Sequence, residues 1–395
     1  MEIATHHALD RPTATLSSGR PRLPAADGLR GVAALLIVVY HTSFTAGTTV
    51  GPGLIPAVIA RLDVCVPVFF GLSGFLLFEP YVARIVHDRP LASATTFWRR
   101  RAVRIFPAYW TALAIQLALG AIAVSGAVGL LLSVTLTHAY AGIYVLSGIS
   151  QAWSVSTEIG YYLLLPLFAL LCARMARGWA PVQRVMLIAA MCGSWIVIST
   201  VSRALIHGSS LPYAGNFRFT VIANADYFAI GMILACLVVG TEVSPRIAAL
   251  RLALFQRPSL WYAASLVVLV LVSTQLGLPR GLEEGSTTQE LARQAGYSLV
   301  ALLAVAPACC SLTGGRFFGS KPLVWLGVVS YGVYLWHEVF ITAPHGRESF
   351  LLRWFGWHVF DAPVVPLMAM TIAGSLALGA ASWYLLERPL LERFR

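Results

Sequence analysis

Apolar residues run through almost the whole chain in long stretches, broken by short polar segments rich in arginine, glycine and proline. A helix needs about 20 such residues to cross the ~30 Å hydrocarbon core of a bilayer, and it satisfies its own backbone polar groups there. The pattern predicts ten spanning helices, near 28–48, 64–83, 104–125, 151–173, 185–203, 217–239, 259–276, 294–313, 323–344 and 362–386. The stretch 127–147 is apolar enough to compete as another span, but it lies between two helices that already alternate correctly. Ala127–Leu136 is therefore read as a short re-entrant or interfacial helix. Residues 1–25 read as a disordered cytoplasmic tail, 26–390 as one transmembrane bundle and 391–395 as a cytoplasmic end. The expected fold class is an all-α polytopic membrane protein, a single bundle of about ten transmembrane helices.

Composition strengthens this picture. The chain is 58% hydrophobic and 11% charged, whereas a soluble domain carries about 25% charged residues. The net charge of +11 is spread unevenly. Twenty basic residues fall in the tail, at the exits of even-numbered helices and at the C-terminus. Seven fall on the other side, namely Arg61, Arg203, Arg218, Arg280, Arg293, Arg347 and Arg353. Positive loops face the cytoplasm, which puts both termini there and makes the chain a multi-pass protein of the inner (plasma) membrane. No basic patch with aromatic platforms sits on a soluble domain, so nucleic acid is not an expected partner. The six cysteines, Cys65, Cys172, Cys192, Cys236, Cys309 and Cys310, lie in or beside apolar runs without zinc spacing. They read as packing residues, and no metal site is expected.

The chemistry lies in polar residues set within apolar runs. Arg30 and His41 are eleven residues apart on the first helix, so they share a face about 16 Å apart along the axis. Asp27 is placed to cap that helix. Ionisable groups at such depth face a partner or a cavity; His41 either bonds a neighbouring helix or serves chemistry. Phe97–Trp110 holds four arginines. Arg99 and Arg100 read as topology anchors, whereas Arg101 and Arg104, three apart on one face at a helix N-terminus, suit phosphate oxygens. Glu158 lies about two turns into the fourth helix, with Tyr161 and Tyr162 one turn beyond. Asp226 in the sixth could pair with Arg218 or with another arginine, and His337 lies in the ninth beside Trp336.

Several strings together resemble the acyltransferase 3 family of integral-membrane acyltransferases. They are Asp-Gly-Leu-Arg-Gly with ten residues between Arg30 and His41, Ser-Gly-Phe-Leu at 73–76, Arg-x-x-Arg at 101–104, Trp-Ser-x-Ser-x-Glu-x-x-Tyr-Tyr at 153–162, Ser-Tyr-x-x-Tyr-Leu-Trp-His at 330–337 and Leu-Glu-Arg-Pro at 386–389. The resemblance implies a membrane O-acyltransferase moving an acyl group, expected to be acetyl, from acyl-coenzyme A to a hydroxyl of a carbohydrate or macrolide-type acceptor. The donor would be a co-substrate, with no permanently bound cofactor. His41 would be the general base, Glu158 its carboxylate partner and His337 a second catalytic histidine. Arg30, Arg101 and Arg104 would bind the coenzyme A phosphates. Gly71 and Gly74 either let a neighbouring backbone approach closely or, if the second helix faces the first, line a narrow path for the donor arm. The alternative is a proton-coupled transporter or flippase using His41, Glu158 and Asp226 as a relay.

Overall fold

The computed structural model describes residues 23–281, 283–311, 317–341 and 349–394. Most of the predicted tail, the last residues of the eighth and ninth predicted spans, Arg347 and Arg395 lie outside the described residues. Fifteen α-helices are described. In the first half they are α1 (Pro24–Thr45), α2 (Leu54–Ile59), α3 (Cys65–Val86), α4 (Ala94–Ala118), α5 (Gly126–Val134), α6 (Trp153–Met175) and α7 (Pro181–His207). The second half holds α8 (Ala225–Gly240), α9 (Pro245–Phe255), α10 (Pro258–Gln275), α11 (Thr287–Cys310), α12 (Lys321–Trp336), α13 (Phe350–Phe355), α14 (Val364–Ser382) and α15 (Arg388–Arg393). No strand is present among the described residues.

Each of the ten predicted spans falls on a helix, but only eight are long and apolar enough to cross a membrane. The exceptions are α4 and α8, for different reasons. Helix α4 starts ten residues before the predicted span, with the Ser93 hydroxyl accepting from the Thr96 N–H. Its first half therefore contains all four arginines of the cluster. Helix α8 has 16 residues, about 24 Å, because 214–219 forms a 3-10 turn instead of its first turns. In the 127–147 region α5 has nine residues, about 14 Å, too short to cross. Tyr109 and Trp110 of α4 cap its last carbonyls, those of Ser133 and Val134.

Helices α7, α10 and α14 bury only 22% of their most apolar segments. Their leucine, valine and isoleucine faces point outwards, as lipid-facing surfaces require. The inner helices meet through small residues, which let backbones approach closely in the absence of water. A Cβ on Gly28 would come within 1.8 Å of the Phe318 carbonyl oxygen, and one on Gly327 within 1.9 Å of that of Asp27. The glycines around Arg30 thus seat α1 against α12. Gly71 and Gly74 do the same for α3 and α8: a Cβ on Gly74 would lie 2.2 Å from the Phe228 carbonyl oxygen, and one on Gly231 lies 1.9 Å from that of Gly71. Of the two readings left open for them, they are packing residues, and the opposing backbone leaves no donor path along Gly74.

Two helix ends also differ from expectation. Helix α1 starts at Pro24, so Asp27 sits inside its first turn and pairs with Arg30 at 3.7 Å instead of capping. The last helix runs on past its predicted end at 386 and through Pro389. A widened π turn at Trp383–Glu387 precedes it, and the proline occupies the first turn of α15, where its missing N–H costs nothing. The six cysteines are buried and unpaired.

Candidate active site

The site is built where α1 meets the end of α12. Helix α12 stops at Trp336 and a 3-10 turn, His337–Phe340, follows. A helix end leaves carbonyls without intrahelical partners, and here buried side chains take them up. Gln116 donates to the Leu335 carbonyl, Gln151 to that of Tyr334, and His337 Nδ1 lies 2.8 Å from the same Tyr334 carbonyl. The Tyr334 hydroxyl donates to the Gln151 carbonyl and lies 2.7 Å from the Ser154 hydroxyl. The ring of His337, fully buried, is thereby fixed in place.

That contact sets the tautomers. A carbonyl only accepts, so His337 Nδ1 carries the proton and Nε2 holds the lone pair. His41 Nδ1 lies 2.7 Å from that Nε2, so it is the donor, and the two rings are nearly parallel, 8° apart. His41 Nε2 is then the unprotonated nitrogen. Glu338 places Oε1 3.7 Å from His41 Nδ1 and accepts from the Ser150 hydroxyl. His41, His337 and Glu338 bring their donor atoms within 4.8 Å of one another, close enough to invite a cation. Two nitrogens on a tetrahedral zinc, with Zn–N about 2.0–2.1 Å, would stand roughly 3.3 Å apart. A spacing of 2.7 Å is that of a shared proton.

His41 lines a cavity of about 290 Å³, at the low end of the ~300–1,000 Å³ usual for small-molecule sites. Aromatic side chains form much of its wall, among them Tyr40, Phe44, Trp153, Phe219, Tyr227 and Tyr334. Its charged residues come from the side of the chain where only seven arginines fall. None of Arg30, Arg101 and Arg104 lines it.

Those three arginines gather at the other end of α1. Arg104 repels both Arg30 and Arg101 electrostatically. Arg101 lies 5.9 Å over the rings of Phe97 and Tyr162 and bonds to Tyr162; its Nε is buried without a hydrogen-bond partner. Arg99 and Arg100 are exposed. Because α4 begins at Ala94, the pair stands about two turns inside the helix, not at its N-terminus, and its N–H groups are already used. Glu158 belongs here too. It accepts from the Ser73 hydroxyl at 2.5 Å, bonds Tyr162 and interacts with Arg30 and Arg101. The carboxylate beside His41 is Glu338, not Glu158.

Asp226 is held elsewhere again. Its oxygens accept from Ser199 at 2.8 Å and Ser298 at 2.7 Å, between α7, α8 and α11, and Arg203 is its nearby cation. No hydrogen bond among the described residues directly joins His41, Glu158 and Asp226.

Known proteins resemble this chain over most of its length. An acyltransferase-domain family model, acyltransferase 3, matches residues 23–385. Acyltransferase MdmB of Streptomyces mycarofaciens is 26% identical over 375 residues, covering 90% of this chain and 89% of that protein. Exopolysaccharide production protein ExoZ of Rhizobium meliloti is 28% identical over 347 residues, 84% of this chain and 90% of its own. Peptidoglycan O-acetyltransferase OatA of Listeria monocytogenes is 24% identical over 349 residues, 83% of this chain but 51% of that longer protein. No solved structure gives a significant match. With the family model covering nearly the full length, the chain belongs to the acyltransferase 3 family.

Proposed function

We propose that the protein is an inner-membrane O-acyltransferase that moves an acetyl group from acetyl-coenzyme A to a hydroxyl of a carbohydrate or natural-product acceptor, with His41 as general base. One observation carries this reading: the chain Tyr334 carbonyl–His337–His41, which leaves an unprotonated nitrogen at the wall of the cavity. The acceptor hydroxyl donates to His41 Nε2, its oxygen forms a bond to the thioester carbonyl carbon, and the proton moves to the imidazole. The imidazolium so formed is stabilised by Glu338, 3.7 Å from Nδ1. Collapse of the tetrahedral intermediate breaks the carbon–sulfur bond, and the leaving thiolate takes the proton back. His337 acts as a positioning residue, since it holds the tautomer without meeting the acceptor.

Donor and acceptor approach from opposite ends of α1. The excess of basic residues at the Arg30 end and both termini supports a cytoplasmic position for them, where acyl-coenzyme A is met. Its phosphates fit the Arg30, Arg101 and Arg104 group, in which Glu158 and Tyr162 order Arg101. About 16 Å separates Arg30 from His41 along the helix, the span left for the thin pantetheine arm.

Purified protein in nanodiscs, assayed for coenzyme A release and acceptor acylation, tests the donor half. Arg101→Ala and Arg104→Ala should each raise the KM for acetyl-coenzyme A about tenfold, the usual effect of losing one charge-assisted phosphate contact. Arg99→Ala, at an exposed position, should leave it within about twofold. Equal small changes at all three positions would reduce the cluster to a membrane anchor.

A further inference from the structure

Seven arginines fall on the minority side of the chain, and six of them are among the described residues. Five of them, Arg61, Arg203, Arg218, Arg280 and Arg293, line the one cavity that holds His41. The carboxylates lining it are Asp63, Glu283 and Glu290, which leaves a surplus of two positive charges on its walls.

Most of these guanidiniums have structural work. Arg61 donates to the Leu278 and Pro279 carbonyls and Arg280 to that of Gly51, tying down the loop after α10. Glu290 serves two arginines at once, Arg203 at 2.5 Å and Arg293 at 2.6 Å, so that trio keeps a net positive charge. Asp63 accepts from Tyr297.

Arg218 is different. Its backbone is pinned, because Asn224 donates to its carbonyl at 2.7 Å. Its guanidinium lies 4.9 Å over the Phe219 ring; its Nε, like those of Arg61 and Arg203, is buried without a hydrogen-bond partner, and unlike theirs its guanidinium makes no hydrogen bond or ion pair among the described residues. Glu290, Glu284 and Asp63 reach it only through space, and Arg293 repels it. Burial first and Arg293 second lower its pKa from the ordinary arginine range. A guanidinium in a confined space with a second cation, Arg293, beside it is what an oxyanion would relieve, and the planar fork of arginine matches phosphoryl oxygens.

We propose that the acceptor is a phosphorylated sugar or glycolipid, its phosphoryl group bound between Arg218 and Arg293 while its hydroxyl meets His41. The proposal rests on the acyltransferase reading for its use of His41. The anion site itself stands on the arginines alone. The aromatic wall beside it suits the apolar face of a sugar ring.

Glucose 1-phosphate and methyl glucoside serve as probes, titrated calorimetrically into the full-length protein in nanodiscs free of anionic lipid. Glucose 1-phosphate should bind at least tenfold more tightly than methyl glucoside. Arg218→Gln and Arg293→Gln should each remove most of that difference, and Arg218→Lys should restore part of it. Arg101→Ala should leave glucose 1-phosphate binding unchanged while weakening coenzyme A. Inorganic phosphate run in parallel separates a free-anion site from a sugar phosphate site; binding as tight as that of the sugar phosphate would overturn the acceptor assignment. Equal binding of the two sugars, or loss of the preference in Arg101→Ala, would overturn the anion site. Because these readouts involve no turnover, transfer surviving in His41→Ala would sink the base assignment and leave the anion site untouched.

Discussion

His41→Ala should lower acyl transfer by about 10²–10⁴-fold, the range over which a general base contributes, with the protein still inserted and folded. The side chain stands at a cavity wall and makes one hydrogen bond, to His337, so its removal leaves little unsupported. His337→Ala should be milder, because His41 keeps Glu338 beside its Nδ1 and loses only the partner that fixes its tautomer. His337→Gln, whose amide oxygen can accept from His41, should recover part of that loss. Transfer rates in matched nanodisc preparations decide the order. If His337→Ala proved the more damaging, the two histidines would exchange roles.

Gly327→Leu should abolish the folded protein. The Asp27 carbonyl oxygen lies 1.9 Å from where the first side-chain carbon would go. That contact is backbone and cannot swing aside, so the cost exceeds the ~1–3 kcal/mol of ordinary overpacking. Gly193→Leu is the control: on α7 nothing lies within 4 Å of its Cβ position, and the thermal midpoint should stay close to wild type. Size-exclusion profiles and thermal unfolding in detergent report both. A monodisperse Gly327→Leu protein of normal midpoint would mean that α1 and α12 do not cross here.

The helices were legible because a bilayer demands unbroken apolar runs, and such runs are visible in one dimension. The start of α4 was not, because its first half is arginine-rich. Arginine is a good helix former yet ends any reading based on hydropathy. Arg30, His41 and the Arg101–Arg104 pair stood out as charges within apolar surroundings, and the structure places the arginines together. What stayed hidden was pairing across the chain. His41 and His337 are 296 residues apart, and no periodicity links them. Glu158 drew attention by the family string around it, whereas Glu338, also inside a predicted span, had only its adjacency to His337 as a signal. Gly74 shows a different limit. A small residue in a membrane helix leaves room either for a ligand or for a backbone, and only the opposing Phe228 carbonyl decides between them.

The central claim is that His41 accepts a proton and never the acyl group. Rapid mixing of the nanodisc protein with ¹⁴C-acetyl-coenzyme A and an acylatable acceptor, followed by a mild neutral quench, tests it directly. Label should pass from coenzyme A to the acceptor with none held on the protein at any time point. Label that appears on the wild-type protein before the acceptor, is released by hydroxylamine and is absent from His41→Ala would contradict the account, since it would make His41 the nucleophile.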